Sequence, residues 1–238
     1  MTPSRLLLAA FGLACAVDLV CLATGADAGH TVAKPLLMPL LALWAALRKA
    51  PRPLLAALLF GWGGDVLLLS DAEPAFLAGM ASFAAGHVCY LVLFTTYGSR
   101  GAVPRARAGV LALGYAAALV TTVALLWPDL PADLRIPVTG YSLLLTAMAY
   151  RSGIRLGLFA GLGGALFLLS DTLIATGVAE WPQLPAPDFW IMLTYLAAQT
   201  LLTVGTLGAL DARRAPAATY GEMRAAVRSR RSPRPSSS

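Results

Sequence analysis

Charge is scarce in this 238-residue chain: 13% of its residues are Asp, Glu, Lys or Arg, about half the share of an ordinary soluble domain, while 58% are hydrophobic. Histidine is scarcer still, with His30 and His87 alone, which excludes a zinc site built from three histidines. The three cysteines, Cys15, Cys21 and Cys89, lie inside apolar stretches without a CxxC pair, so neither a disulfide framework nor a cysteine-held structural zinc is expected. There is no GxSxG elbow, no HExxH, no P-loop and no GxGxxG. The net charge of +6 is spread over short loops and a tail, without an aromatic-interleaved basic patch, so no nucleic-acid partner is expected.

What the chain has in abundance is long apolar runs. A helix needs about 20 predominantly apolar residues to cross a bilayer core of roughly 30 Å. Apolar runs and breakers predict an all-α polytopic bundle of eight spans, near residues 5–24, 32–48, 54–70, 75–97, 107–127, 135–150, 155–178 and 187–210. The bundle then occupies residues 1–211, with a basic, disordered cytoplasmic tail over 212–238. Arg5, the pair Arg48 and Lys49 with Arg52, then Arg100, Arg105 and Arg107, then Arg151 and Arg155, and the tail arginines fall on one side, which places both termini in the cytoplasm of a cell-membrane protein. Only Lys34 and Arg135 fall near the other side. The first span is open to a second reading as a signal peptide cleaved after Ala26-Asp27-Ala28, which would leave seven spans.

Residues 58–71, LLFGWGGDVLLLSD, match residues 158–171, LFAGLGGALFLLSD, at an offset of 100 without gaps. A parallel 4+4 repeat is one reading, and the recurrence of small residues wherever membrane helices pack closely is the other. The copies differ at Asp65, which corresponds to Ala165, so any carboxylate chemistry is asymmetric.

Ionisable groups inside a bilayer are costly and normally face the bundle interior. Here they are Asp18, Asp65, His87 and Asp171, with Lys34 near the outer end of span two and His30 in a loop. Asp65 and Asp171 are each expected about six residues, roughly 9 Å, from the outer end of their spans, within reach of one cavity. His87 shares a helix face with Phe83 and Tyr90. A structural alternative is a buried ion pair of Lys34 with Asp65 or Asp171. A divalent ion held by Asp65, His87 and Asp171 is left open by residue chemistry, although no metal or cofactor is assigned.

Five elements together resemble the YhhN-like lysoplasmalogenases, integral membrane proteins with eight predicted spans. They are Lys34-Pro35, Gly64-Asp65, the run from Phe76 to Tyr90 (FLAGMASFAAGHVCY), Ser170-Asp171 with Ile174-Ala175, and Tyr195 with Gln199. Span eight reads Tyr195-Leu196, where two consecutive tyrosines are expected in many relatives, so Tyr195 alone is carried over. The resemblance implies a lysophospholipid substrate: hydrolysis of the vinyl ether bond of a lysoplasmalogen to a fatty aldehyde and a glycerophospho-base. That reaction begins with proton transfer to carbon and passes through an oxocarbenium ion that water attacks. It suits two carboxyl groups in different surroundings, one protonating and the other stabilising the cation and activating water. On this reading Asp65 and Asp171 divide those roles, His87 and Tyr90 orient the water or a carboxylate, Lys34 meets the lipid phosphate, and Tyr195 and Gln199 bond the head group or glycerol. A transporter built from two four-helix halves, with Gly61 to Gly64 breaking span three, is the alternative from another class.

Overall fold

The computed structural model describes residues 2–99 and 103–214; Arg100 and the tail beyond residue 214 lie outside the described residues. Among the described residues the chain forms eight α-helices and no strand: α1 (Pro3–Thr24), α2 (Asp27–Leu47), α3 (Arg52–Leu67), α4 (Glu73–Tyr97), α5 (Arg105–Leu126), α6 (Arg135–Leu156), α7 (Leu158–Val178) and α8 (Pro187–Arg214). Residues 212–214, expected in the tail, thus continue the last helix.

Hydrocarbon offers the backbone no hydrogen-bond partner, so apolar runs of this kind close their amides internally as helices. Six of the eight are long and apolar enough to cross a membrane. The other two are α3, whose 16 residues rise about 24 Å, and α6, which carries Thr139, Tyr141, Ser142, Thr146, Arg151 and Arg155. Large apolar side chains such as Leu13, Val110, Leu113, Ile136 and Leu158 point outward, while Asp18, Lys34, Asp65, His87 and Gln199 are buried. That distribution is stable only where the surroundings are lipid. The protein is a multi-pass membrane protein.

Several helix boundaries differ from those expected, three of them near the candidate site residues or the α6–α7 turn. Gly25, with φ at 71°, adopts the left-handed conformation that glycine enters without steric cost, and the Ala26 amide closes onto the Cys21 carbonyl. The chain therefore reverses within two residues, and α2 begins at Asp27 rather than near 32. His30 is helical rather than in a loop, and Lys34 stands seven residues inside the helix. The third helix ends at Leu67 rather than Ser70: the Leu69 and Ser70 amides bond carbonyls three residues back, tightening the last turn ahead of Pro74. Asp65 accordingly lies two residues from the end of α3, whereas α7 runs seven residues beyond Asp171. Helix α3 also passes unbroken through Gly61 to Gly64, contrary to the interruption a transporter-type site would use. Helix α6, expected to stop at 150, continues to Leu156, where Gly157 (φ 94°) turns the chain directly into α7.

Packing follows the small residues. A Cβ on Gly64 would lie 2.4 Å from the Phe83 ring, and one on Gly163 would lie 2.8–2.9 Å from the backbone of Leu202 and Ala198, so α3 on α4 and α7 on α8 are pairs whose close approach requires glycine. Ser82 bonds the Phe60 carbonyl at 2.6 Å and Ser170 the Ile191 carbonyl at 3.0 Å, tying the same pairs. In α2, Pro39 supplies no amide to the Pro35 carbonyl; the Trp62 indole of α3 donates to that oxygen instead, at 3.0 Å. The C-terminal ends of α2, α4, α6 and α8 gather at one end of the bundle through Arg48 with Asp211, Arg155 with the Phe94 carbonyl, and Arg213 with Ser99. Helix α5 is the loosest member, with Leu126 alone buried.

Candidate active site

Two hydrogen-bonded arms converge in the middle of the bundle. In the first, the Tyr90 hydroxyl of α4 donates to Gln199 Oε1 of α8 at 2.6 Å. The Gln199 amide donates to the Tyr195 hydroxyl at 3.3 Å, and that hydroxyl donates to Asp65 Oδ2 of α3 at 2.8 Å. Tyr195 and Gln199 meet because positions four apart stand on one helix face. In the second arm, the Tyr141 hydroxyl of α6 donates to Asp171 of α7, and His87 Nε2 of α4 lies 3.0 Å from the same hydroxyl oxygen. With the phenolic proton directed at Asp171, the hydroxyl oxygen is left to accept from His87 Nε2–H. The other ring nitrogen, Nδ1, is buried and has no partner among the described residues.

Aromatic rings join the arms and hold them apart. Phe167 stands edge-on to His87 at 4.7 Å and to Tyr195 at 5.4 Å, and Phe83 stands edge-on to Phe167 at 6.3 Å and to Tyr195 at 5.9 Å. The Phe83 ring reaches this position because Gly64 leaves room for it. Asp65 and Asp171 thus share one neighbourhood but face different partners.

A cavity of about 290 Å³ lies among α4, α5, α6 and α7, with walls mainly of Leu, Val, Ile, Ala, Phe and Met side chains. Its polar side chains are Thr122, Tyr141, Ser142, Thr146, Asp171 and Thr172. Asp171 is the one carboxylate on this wall. Asp65, expected to share the cavity, is not a wall residue and sits against Tyr195 behind the Phe83 ring. His87, Tyr90 and Gln199 instead border a much smaller pocket with Gly61, Phe83 and Phe167.

Lys34 is buried, yet it makes no ion pair within 4.0 Å with Asp65 or Asp171; its charge acts at longer range on Asp18 and Asp65. Asp18 finds its partner in His30, whose Nδ1 lies 2.8 Å from Oδ1, so this acid joins α1 to α2. Among the described residues no three His, Cys, Asp or Glu side chains come together in a way that would hold a metal ion; Tyr141 stands between His87 and Asp171, and Asp65 is bonded elsewhere. Two members of the site went unread in the sequence, Tyr141 and Phe167. The available signal was a tyrosine in a helix already rich in hydroxyls, since a buried phenol requires a partner.

Residues 29–206 match the YhhN family, a stretch from α2 into α8 that contains every member of both arms. Lysoplasmalogenase TMEM86B of Sus scrofa is 40% identical over 148 residues, 62% of this chain and 60% of the pig protein. The protein of the same name in Homo sapiens is 38% identical over 144 residues, 60% of this chain and 58% of its own. A lysoplasmalogenase of Mycobacterium bovis is 31% identical over 194 residues, 74% of this chain and 71% of its own. The chain therefore spans about three-fifths of the length of the two mammalian relatives. No solved structure matches it. On the span of the family match and the agreement with bacterial and mammalian relatives alike, the chain belongs to the YhhN family.

Proposed function

We propose that the protein is a lysoplasmalogenase-type hydrolase that cleaves the vinyl ether bond of a lysophospholipid held in the cavity among α4, α5, α6 and α7. The observation that carries this reading is the single carboxyl group on a mainly apolar wall, bonded by a tyrosine that is itself backed by a histidine. An alkenyl chain fits such a wall, and the labile bond then lies beside Asp171. The names of the relatives support the same chemistry.

Asp171, carrying a proton at the start of the cycle, delivers it to the vinyl carbon distal to the ether oxygen. The C=C electron pair forms the new C–H bond, and the adjacent carbon becomes an oxocarbenium ion. The Asp171 carboxylate left behind stabilises that cation and takes a proton from the attacking water, forming a hemiacetal. Collapse of the hemiacetal breaks the original ether C–O bond as the hemiacetal hydroxyl proton passes to the glycerol oxygen, releasing aldehyde and the glycerophospho-base. One water is consumed: the carbon keeps the proton Asp171 gave it, and Asp171 is restored by the proton taken from water. Tyr141 and His87 hold the carboxyl group in place, and Asp65, fixed by Tyr195, acts on the cation through space as a second negative group. Tyr90, Gln199 and Lys34 belong to the supporting array around Asp65. We place all eight helices across a cell membrane with both termini cytoplasmic, in keeping with the basic ends gathered around Arg48, Arg155 and Arg213; the duplicated GG…LLSD segments support two related four-helix halves.

The test is aldehyde release from a lysoplasmenyl lipid by purified protein in detergent, beside Asp171→Asn and Asp65→Asn. A positioned general acid contributes roughly 10²–10⁴-fold. Asp171→Asn is expected to lose that much, and Asp65→Asn to lose less. A well-folded protein that releases no aldehyde removes the hydrolase reading; full activity in Asp171→Asn removes the assigned acid.

A further inference from the structure

Two basic residues, Lys34 and Arg135, are set apart from the rest of the positive charge, and the mechanism above leaves Arg135 without a task. Neither Lys34 nor Arg135 is a residue of the cavity wall. Arg135 opens α6, the helix that supplies Val138, Tyr141 and Ser142 to that wall. Positions three and four apart share a helix face, so the wall stripe continued one turn toward the start of α6 arrives at Leu134 and Arg135. Val138 both lines the cavity and belongs to a separate apolar cluster with Leu126, Leu130 and Leu134, and the wall residues Phe76 and Val178 pack against that cluster.

Arg135 is held firmly against the same layer. Its Nε donates to the Leu130 carbonyl at 3.1 Å and one terminal nitrogen donates to the Pro128 carbonyl at 3.2 Å. The guanidinium carbon lies 5.9 Å from the centre of the Trp127 ring. The second terminal nitrogen has no protein partner among the described residues. A side chain fixed by two carbonyls and an aromatic ring has little conformational freedom left to lose, so its remaining donors are prepared for an incoming anion.

We infer that Arg135 is the anchor for the phosphate of the lipid head group, one helical turn beyond the cavity wall on α6. The inference rests on the proposed function only for the identity of the occupant. Arg135 and Tyr141 are six residues apart, about 9 Å along the helix. That separation is of the order of the glycerol unit that links the sn-1 ether oxygen to the phosphorus in a lysophospholipid. With phosphate at Arg135, the ether bond comes level with Tyr141 and Asp171, and the hydrocarbon chain continues toward Leu145 and Ala165. A guanidinium suits this task because its planar fork of N–H donors matches phosphate oxygens.

The test measures binding and turnover separately. The binding probes are a 1-O-alkyl lysophosphoethanolamine, which has no vinyl bond to cleave, and the corresponding 1-O-alkylglycerol, which has no phosphate; both are titrated against wild type, Arg135→Gln and Arg135→Lys. Loss of a charge-assisted hydrogen bond is expected to weaken the phospholipid roughly 10- to 100-fold in Arg135→Gln, with partial recovery in Arg135→Lys and no change for the alkylglycerol. In turnover of the lysoplasmenyl lipid the same loss is expected in KM, with kcat kept. Equal weakening of both probes would show that Arg135 only braces the loop at Pro128 and Leu130, and unchanged phospholipid binding would place the phosphate elsewhere; either overturns the assignment. Arg135-dependent binding without aldehyde release would retain the phosphate site and reject the hydrolase reading, whereas aldehyde release indifferent to Arg135 would do the reverse.

Discussion

Replacing Tyr141 with Phe removes one oxygen that serves two partners, and the consequences for stability and for rate can be worked separately. On the stability side the loss falls on His87. Its ring is 1% exposed and its Nδ1 already lacks a partner, so removal of the Tyr141 hydroxyl leaves the imidazole with no hydrogen bond. Stranding a buried polar group costs about 1–3 kcal/mol. Asp171 also loses a donor but lines the cavity, where water can replace it, so its share is small. Tyr141→Phe should therefore lower stability by about 1–3 kcal/mol, read as thermal or denaturant unfolding in detergent by tryptophan fluorescence. If His87 is first replaced by Leu, which needs no donor or acceptor, the same Tyr141→Phe change should cost almost nothing, giving a coupling close to the whole effect. On the rate side, aldehyde release should fall roughly 10- to 100-fold in kcat while KM holds, because the carboxyl group is present but no longer held. Additive stability costs in the His87→Leu background would show that His87 does not depend on that hydroxyl. Wild-type turnover in a folded Tyr141→Phe protein would show that Asp171 works unaided.

Two further changes probe the scaffold and the cavity. Trp62→Phe strands the Pro35 carbonyl and should cost about 1 kcal/mol, whereas in a Pro39→Ala background the restored helix amide takes that carbonyl, so the indole's loss should nearly vanish in the same unfolding assay. Ala165→Phe narrows the end of the cavity farthest from Arg135 and should raise KM for long-chain substrates several-fold relative to short-chain ones; an equal effect on both would place the hydrocarbon chain outside this cavity.

The existence and order of the eight helices were legible in the chain because backbone desolvation leaves apolar runs a single local solution, and the helices fall within a few residues of the runs. Their facing was less legible. Helices apolar on nearly every side carry no amphipathic stripe, so depth could be read along a run but direction around it could not. Asp65 and Asp171 illustrate the difference. Both were expected at similar depth and in one cavity, yet only Asp171 reaches the wall, because the ring of Phe83 fills the space over Gly64 and Tyr195 takes the Asp65 carboxylate. The recurring GG…LLSD segment could not signal this, since the feature that separates its two copies lies on neighbouring helices. Tyr141 escaped for the same reason: its partners stand 54 residues before it and 30 residues after it in the chain, and neither spacing has a local periodicity. Where polar residues are this few, several of the buried ones still take a partner across a helix interface. The pairs Tyr195 with Asp65 and Tyr141 with Asp171 are that pairing met twice, and the difference between them, a cavity wall beside one and a closed ring cluster beside the other, sets apart the carboxyl group that lines the cavity from the one that does not.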